Sequence, residues 1–115
     1  METTVEQRGN VSTVHIAGRV DSHTADTLQQ VFSSEAEAGH HNVVADFREV
    51  DYTSSAGLRV LLGTLKDARA AGGDLRLAGL RPEVLNVLEL AGFTNILKVF
   101  ETVEDAVESF AGVGA

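Results

Sequence analysis

Cysteine is missing altogether from these 115 residues, which excludes a disulfide framework and a thiolate metal site. The absence fits a reducing compartment. Basic residues are scarce. Nine Lys and Arg stand against 17 Asp and Glu, a formal net charge of −8. An acidic surface repels phosphate backbones, so direct nucleic-acid binding is not expected, whereas the same field favours a partner with a basic face. Long apolar runs are missing too. No segment approaches the ~20 apolar residues of a membrane span, and the opening METTVEQRGN has no basic-then-apolar signal pattern. A soluble cytoplasmic protein with no membrane partner is the simplest expectation.

Recognisable catalytic apparatus is also lacking. There is no G-x-S-x-G elbow, no P-loop and no G-x-G-x-x-G run. The adjacent His40 and His41 follow a glycine and lack the i, i+4 spacing of a helical zinc pair. They read as a solvated loop, and His15 reads as a surface strand residue. Asp46, Glu49 and Asp51 cluster without an obvious histidine partner, and read as a solvated strand-to-helix loop. The chain is therefore expected to be no enzyme, with no catalytic residue, no metal site and no cofactor.

What is present suits one domain: 43% hydrophobic and 23% charged residues, in a chain long enough to bury a core without staples. TTVEQ and VSTVHIAG flank a Gly9-Asn10 turn and predict a hairpin, whose second strand, with Val14 and Ile16 on one face and Thr13 and His15 on the other, reads as a half-buried antiparallel strand. Asp21 or Ser22 is placed to cap a helix carrying Ala25, Leu28, Val31 and Phe32 and closed by Gly39. NVVADF predicts a strand buried on both faces and ending near Phe47. A loop and a helix starting near Ser55 follow, with Leu58, Leu61, Leu62, Leu65 and Ala68 as its stripe and Gly72-Gly73 as its stop. DLRLAG predicts a strand, RPEVLNVLELAG a helix, and Ile96 to Phe100 a short strand. A last helix has Thr102 as its cap and Val103, Ala106, Val107 and Phe110 as its stripe, and the AGVGA tail is expected to fray. This order predicts an α/β fold: a mixed sheet of N-terminal hairpin plus parallel strands, flanked by about four helices.

One stretch exceeds what structure requires. Thr53, Ser54 and Ser55 stand together before the second helix, although a cap needs one hydroxyl and contributes roughly 1 kcal/mol. A phosphate there would be accommodated by the free N–H groups and dipole of the helix start. It would change the surface that a partner meets by charge and bulk. The small Ala56 and Gly57 permit close approach. The physics alone favours a cap over a switch.

AGRVDSHTADTL, VVADFREVDYTSSAGLRVLL and AGGDLRLAGLRPEVLNVLELAGFTNILKVF, in this order, resemble the STAS-domain anti-sigma-factor antagonists of bacterial partner-switching systems. The resemblance covers nearly the whole chain and implies a single STAS domain over residues 1–115, frayed after about 111. It implies a mixed sheet flanked by helices. It also implies that the unphosphorylated form binds an anti-sigma factor, a GHKL-type serine kinase, and so frees a sigma factor. Phosphorylation ends that complex, and a PP2C-type phosphatase restores it. The family's phosphoserine lies two residues before the glycine of G-L, which here is Ser55 before Gly57. Many members carry Asp immediately before that serine, where this chain has Ser54. Asp21 and Thr24 match the family's D-x-x-T segment, so the partner-binding set becomes Asp21, Ser22, Thr24, Thr53, Ser54, Ser55, Ala56, Gly57 and Leu58. A second class implied by the resemblance is a STAS interaction module, without a switch, in anion transporters, stress-sensing assemblies or lipid-transport complexes.

Overall fold

A computed structural model describes residues 1–111. The fraying expected of the tail beyond them lies outside the described residues. The chain runs β1 (Glu2–Arg8), β2 (Val11–Val20), α1 (Ala25–Glu37), β3 (Asn42–Thr53), α2 (Ser55–Ala70), β4 (Asp74–Ala78), α3 (Pro82–Leu90), β5 (Lys98–Phe100) and α4 (Val103–Glu108). Gly9 turns the first hairpin at a φ of 63°, a left-handed value open to glycine at little cost. The strands lie in the order β1-β2-β3-β4-β5; the first pair is antiparallel and the others parallel. The α/β reading of hairpin, parallel strands and four helices therefore holds. The final strand is shorter than expected, because Phe93–Asn95 wind into a 3-10 turn before it.

Burial divides the molecule into two layers around the sheet. Leu28 and Phe32 of α1, Leu61 and Leu65 of α2, and Val84 and Leu88 of α3 join Ile16, Phe47 and Leu77 in the larger core. Each such side chain contributes about 1.5–3 kcal/mol by leaving water. On the other sheet face, α4 and the turn that follows it cover Val11, Val44 and Ala78 with Val103, Ala106 and Phe110. Arg76, buried in β4, ties that helix down: its guanidinium stacks 3.9 Å from the Phe110 ring centre and donates to Ser109 Oγ at 2.7 Å and to Asp74 Oδ2 at 3.0 Å.

Three local expectations need correcting. First, β2 is not half-buried along its length, because Thr13 is fully buried on the face opposite the large core. Second, β3 does not stop near Phe47; it continues to Thr53, and helix α2 follows with no loop between them. Two extra residues on β3 explain the misreading. Asp46 lies opposite His15, but the next partner of Ala17 is Glu49; Val50 lies opposite Gly18, but the next partner of Arg19 is Tyr52. Each bulge shifts the pleat, so Phe47, Val50 and Thr53, three apart, are all buried.

Third, Asp46 does not sit in a solvated loop. It is 4% exposed within β3, and it has a histidine partner. Its Oδ2 lies 2.6 Å from His15 Nδ1 and accepts from Arg48 Nη2 at 2.8 Å, while its Oδ1 accepts from the Arg48 backbone N–H at 3.1 Å. His15 Nε2 lies 3.1 Å from Glu6 Oε1, so this side chain bridges two carboxylates rather than facing water alone. Burial by itself would raise the Asp46 carboxyl, but the bonds from Arg48 and His15 outweigh it and hold the group below its ordinary value of 3.8. The sign for stability follows. A depressed carboxyl stabilises the fold fully above the unfolded value, and the contribution is lost as pH falls through the folded one. Asp46→Asn is therefore expected to cost about 2 kcal/mol near pH 7. The gap to the wild type should close below about pH 4 in urea melts taken across pH. A gap that stays constant down to pH 3 would show that packing, not charge, sets the loss.

Candidate functional site

Two chain reversals meet at the end of the sheet where β2 and β3 finish. Val20 and Thr53 are paired in the ladder, and the Ser54 N–H donates to the Val20 carbonyl at 2.8 Å. The turn leading into α1 is therefore held against the start of α2.

The first reversal is built by Asp21 and Thr24. Asp21 Oδ1 accepts from the backbone N–H groups of His23 at 2.9 Å and Thr24 at 3.2 Å, while Thr24 Oγ1 accepts from the Asp21 N–H at 2.9 Å and donates to the Arg19 carbonyl at 2.9 Å. Each side chain satisfies the other's backbone, which is the reciprocal logic of a capping box. Burial would raise the Asp21 carboxyl, but the donors from His23 and Thr24 prevail and hold it below the ordinary aspartate range. Asp21 thus closes the turn before α1 and does not cap the helix as expected; the cap position is Thr24, with no side-chain capping bond, and the helix begins at Ala25. Ser22 does not cap; it and His23 are exposed at the tip.

The second reversal separates the three hydroxyls. Thr53 is buried at the end of β3, neither loop nor cap. Ser54 is the N-cap residue of α2, with extended backbone and a hydroxyl that makes no capping bond and finds no partner. Ser55 opens the helix and is exposed. Gly57 faces inward: a Cβ at this position would stand 2.5 Å from Thr53 Oγ1 and 2.7 Å from Val20 Cγ1. Of the nine residues expected to meet a partner, Thr53 and Gly57 are thus buried against their own chain. Ser22 and Ser55 are exposed, and the other five are partly so.

Two features of this end are not legible from motif spacing. Arg19 and Tyr52 are cross-strand neighbours, and the guanidinium lies 4.3 Å from the ring centre. Beside Ser22, the start of α1 and the first turns of α2 leave a shallow cleft with Asp26 on one wall and Ala56 and Arg59 on the other. Among the described residues, no three His, Asp or Glu side chains gather as a metal ion would require. No helix among them is long and apolar enough to cross a membrane.

The family model described as the STAS domain matches residues 2–106. The chain belongs to the STAS domain family. Within it, the chain is 34% identical over 110 residues to BtrV of Bordetella bronchiseptica, named as a candidate anti-sigma factor antagonist, with 96% of this chain and 95% of that one covered. It is 32% identical over 108 residues to the anti-sigma-B factor antagonist of Bacillus subtilis, covering 90% and 94% of the two chains. The crystal structure of a candidate anti-sigma factor antagonist from Thermotoga maritima superposes with a TM-score of 0.89 at 21% identity, covering 98% of this chain and 95% of that one. At that identity the likeness is one of fold. The hairpin, parallel strands and flanking helices of this STAS domain accord with it.

Proposed function

We propose that this STAS domain is an anti-sigma-factor antagonist: a regulatory binding protein, not an enzyme, that captures an anti-sigma factor when Ser55 is unmodified. The partner is a GHKL-type serine kinase. It transfers the γ-phosphoryl group of ATP to Ser55 Oγ, with loss of the hydroxyl proton and release of ADP, and the complex then ends. A PP2C-type phosphatase hydrolyses the ester and restores the hydroxyl. The partner-facing surface is formed by the parts of Asp21, Ser22, Thr24, Ser54, Ser55, Ala56 and Leu58 that reach solvent, with Thr53 and Gly57 beneath as support.

The observation that carries this reading is the placement of Ser55. It is exposed at the first position of a 16-residue helix, between a buried threonine and a buried glycine. A phosphate there meets free backbone N–H groups and the positive end of the helix dipole, so the modification changes the surface without unseating the core. The two named antagonists that match this chain over at least nine-tenths of its length support the same class of partner.

Incubation with the cognate kinase and ATP, followed by site-mapped mass spectrometry, is expected to place phosphate on Ser55 and to find none on the Ser55→Ala variant. Phosphate on Ser54 or Thr53, with Ser55→Ala still modified, would overturn the assignment. Recovery of a transporter or a lipid-transport assembly instead of a kinase in a pull-down would favour an interaction module without a switch.

A further inference from the structure

Arg59 stands four residues after Ser55 on α2, and both side chains are exposed. Residues at this spacing lie on one helix face with Cβ atoms roughly 5–6 Å apart, and a negative group N-terminal to a positive one is the favourable order. Arg59 is also uncommitted. Arg8, Arg19, Arg48, Arg69 and Arg76 each have a carboxylate within 4.0 Å, and Arg81 donates to the Arg48 carbonyl at 3.0 Å, but among the described residues Arg59 has no such partner. This is notable in a chain with a net charge of −8. Asp26 lines the opposite wall of the same cleft without pairing with it.

We propose that Arg59 is the internal ligand of the phosphate: once Ser55 is phosphorylated, the guanidinium pairs with it along the helix and is drawn away from the cleft between α1 and α2. The proposal rests on the Ser55 reading above. A phosphoserine carries about −1.5 to −2 charges at neutral pH and offers three strong acceptor oxygens. Its geometry suits the planar fork of arginine better than the point charge of lysine. Asp26 offers a single charge from another helix, whereas the phosphate offers more charge from one turn away. The outcome is a double change of surface. The modification adds negative charge where α2 begins, and it removes the one positive side chain from the cleft beside it.

The experiment places phosphoserine at position 55 during translation of the full chain and follows its 31P chemical shift against pH. The second ionisation of the phosphate is expected about 0.3 unit lower in the wild type than in Arg59→Gln, the size that an exposed i, i+4 pair supports. Arg59→Lys is expected to recover part of the shift, and added salt to shrink it. Coincident titration curves for the wild type and Arg59→Gln overturn the proposal. Because the phosphate is placed during synthesis, that result would leave the choice of Ser55 by a kinase standing. A kinase that modifies another residue would remove the Ser55 reading and leave these curves unchanged.

Discussion

Ser55→Asp is expected to remove the anti-sigma partner while the fold stands. An aspartate buried against a partner surface without a matching cation costs about 2–4 kcal/mol of binding, or roughly 30- to 1,000-fold in Kd. Stability should barely move, because Ser55 is not the cap of α2. The cap position is Ser54, whose hydroxyl makes no capping bond, so the substitution loses no structural hydrogen bond. An acid at the first helical position gains about 0.3–1 kcal/mol from the dipole, so Tm should hold or rise by a few degrees. Calorimetric titration against the kinase, with a thermal melt of each variant, checks both halves. Ser55→Ala should bind nearly as the wild type does. Wild-type affinity in Ser55→Asp would sink the switch, and a collapsed melt would return the site to a structural role.

The second large effect is steric, and it separates two glycines of one helix. Gly57→Val is expected to destabilise the domain by about 3 kcal/mol. Its Cβ alone would meet Thr53 Oγ1 at 2.5 Å and Val20 Cγ1 at 2.7 Å. Neither neighbour has room to retreat, since Thr53 is 3% exposed and Val20 1%. The start of α2 must then lift from the ends of β2 and β3, carrying Ser55 with it. Gly63→Ala should do the reverse. A Cβ there meets nothing within 4 Å, so the gain in helix propensity, about 1 kcal/mol, is realised. Thermal melts should separate the pair by more than about 10 °C. Equal melting temperatures would mean that α2 is not seated on Val20 and Thr53 as described.

Much of the fold is legible because period and punctuation agree. The apolar spacing of α1, α2 and α4, the glycines after α1, α2 and α3, and Pro82 at the first position of α3 all mark elements that are present. The second half of β3 is not legible, because its two bulges replace the alternation of a strand with a spacing of three at Phe47, Val50 and Thr53. The same blind spot hides the role of Asp46, whose partner His15 is 31 residues away in sequence and is brought near only by the β2–β3 register. At the site, Asp21 and Thr24 can be picked out by their pattern, but their reciprocal bonds depend on backbone conformation. Gly57 reads from sequence as room for a partner, whereas the space that it leaves is filled by Thr53 and Val20. The family resemblance singles out Ser55 by its distance from Gly57; that Ser55 is exposed and Thr53 buried is visible only in the fold.

The unequal reach of the strands has a mechanical consequence. β3 pairs with β4 only from Asn42 to Asp46, yet it runs beside β2 as far as Val20 and Thr53. The crest that carries Ser54 and Ser55 is therefore a cantilever two strands wide, rooted in the five-stranded part of the sheet. A partner seated on the crest and pulling outward loads β2 and β3 along their axes. Both strands are drawn the same way, so the shear falls on the ladders that join the pair to β1 and β4, whose hydrogen bonds share the load instead of opening one by one from an end. The platform under Ser55 is stiff in the direction in which a departing partner would drag it.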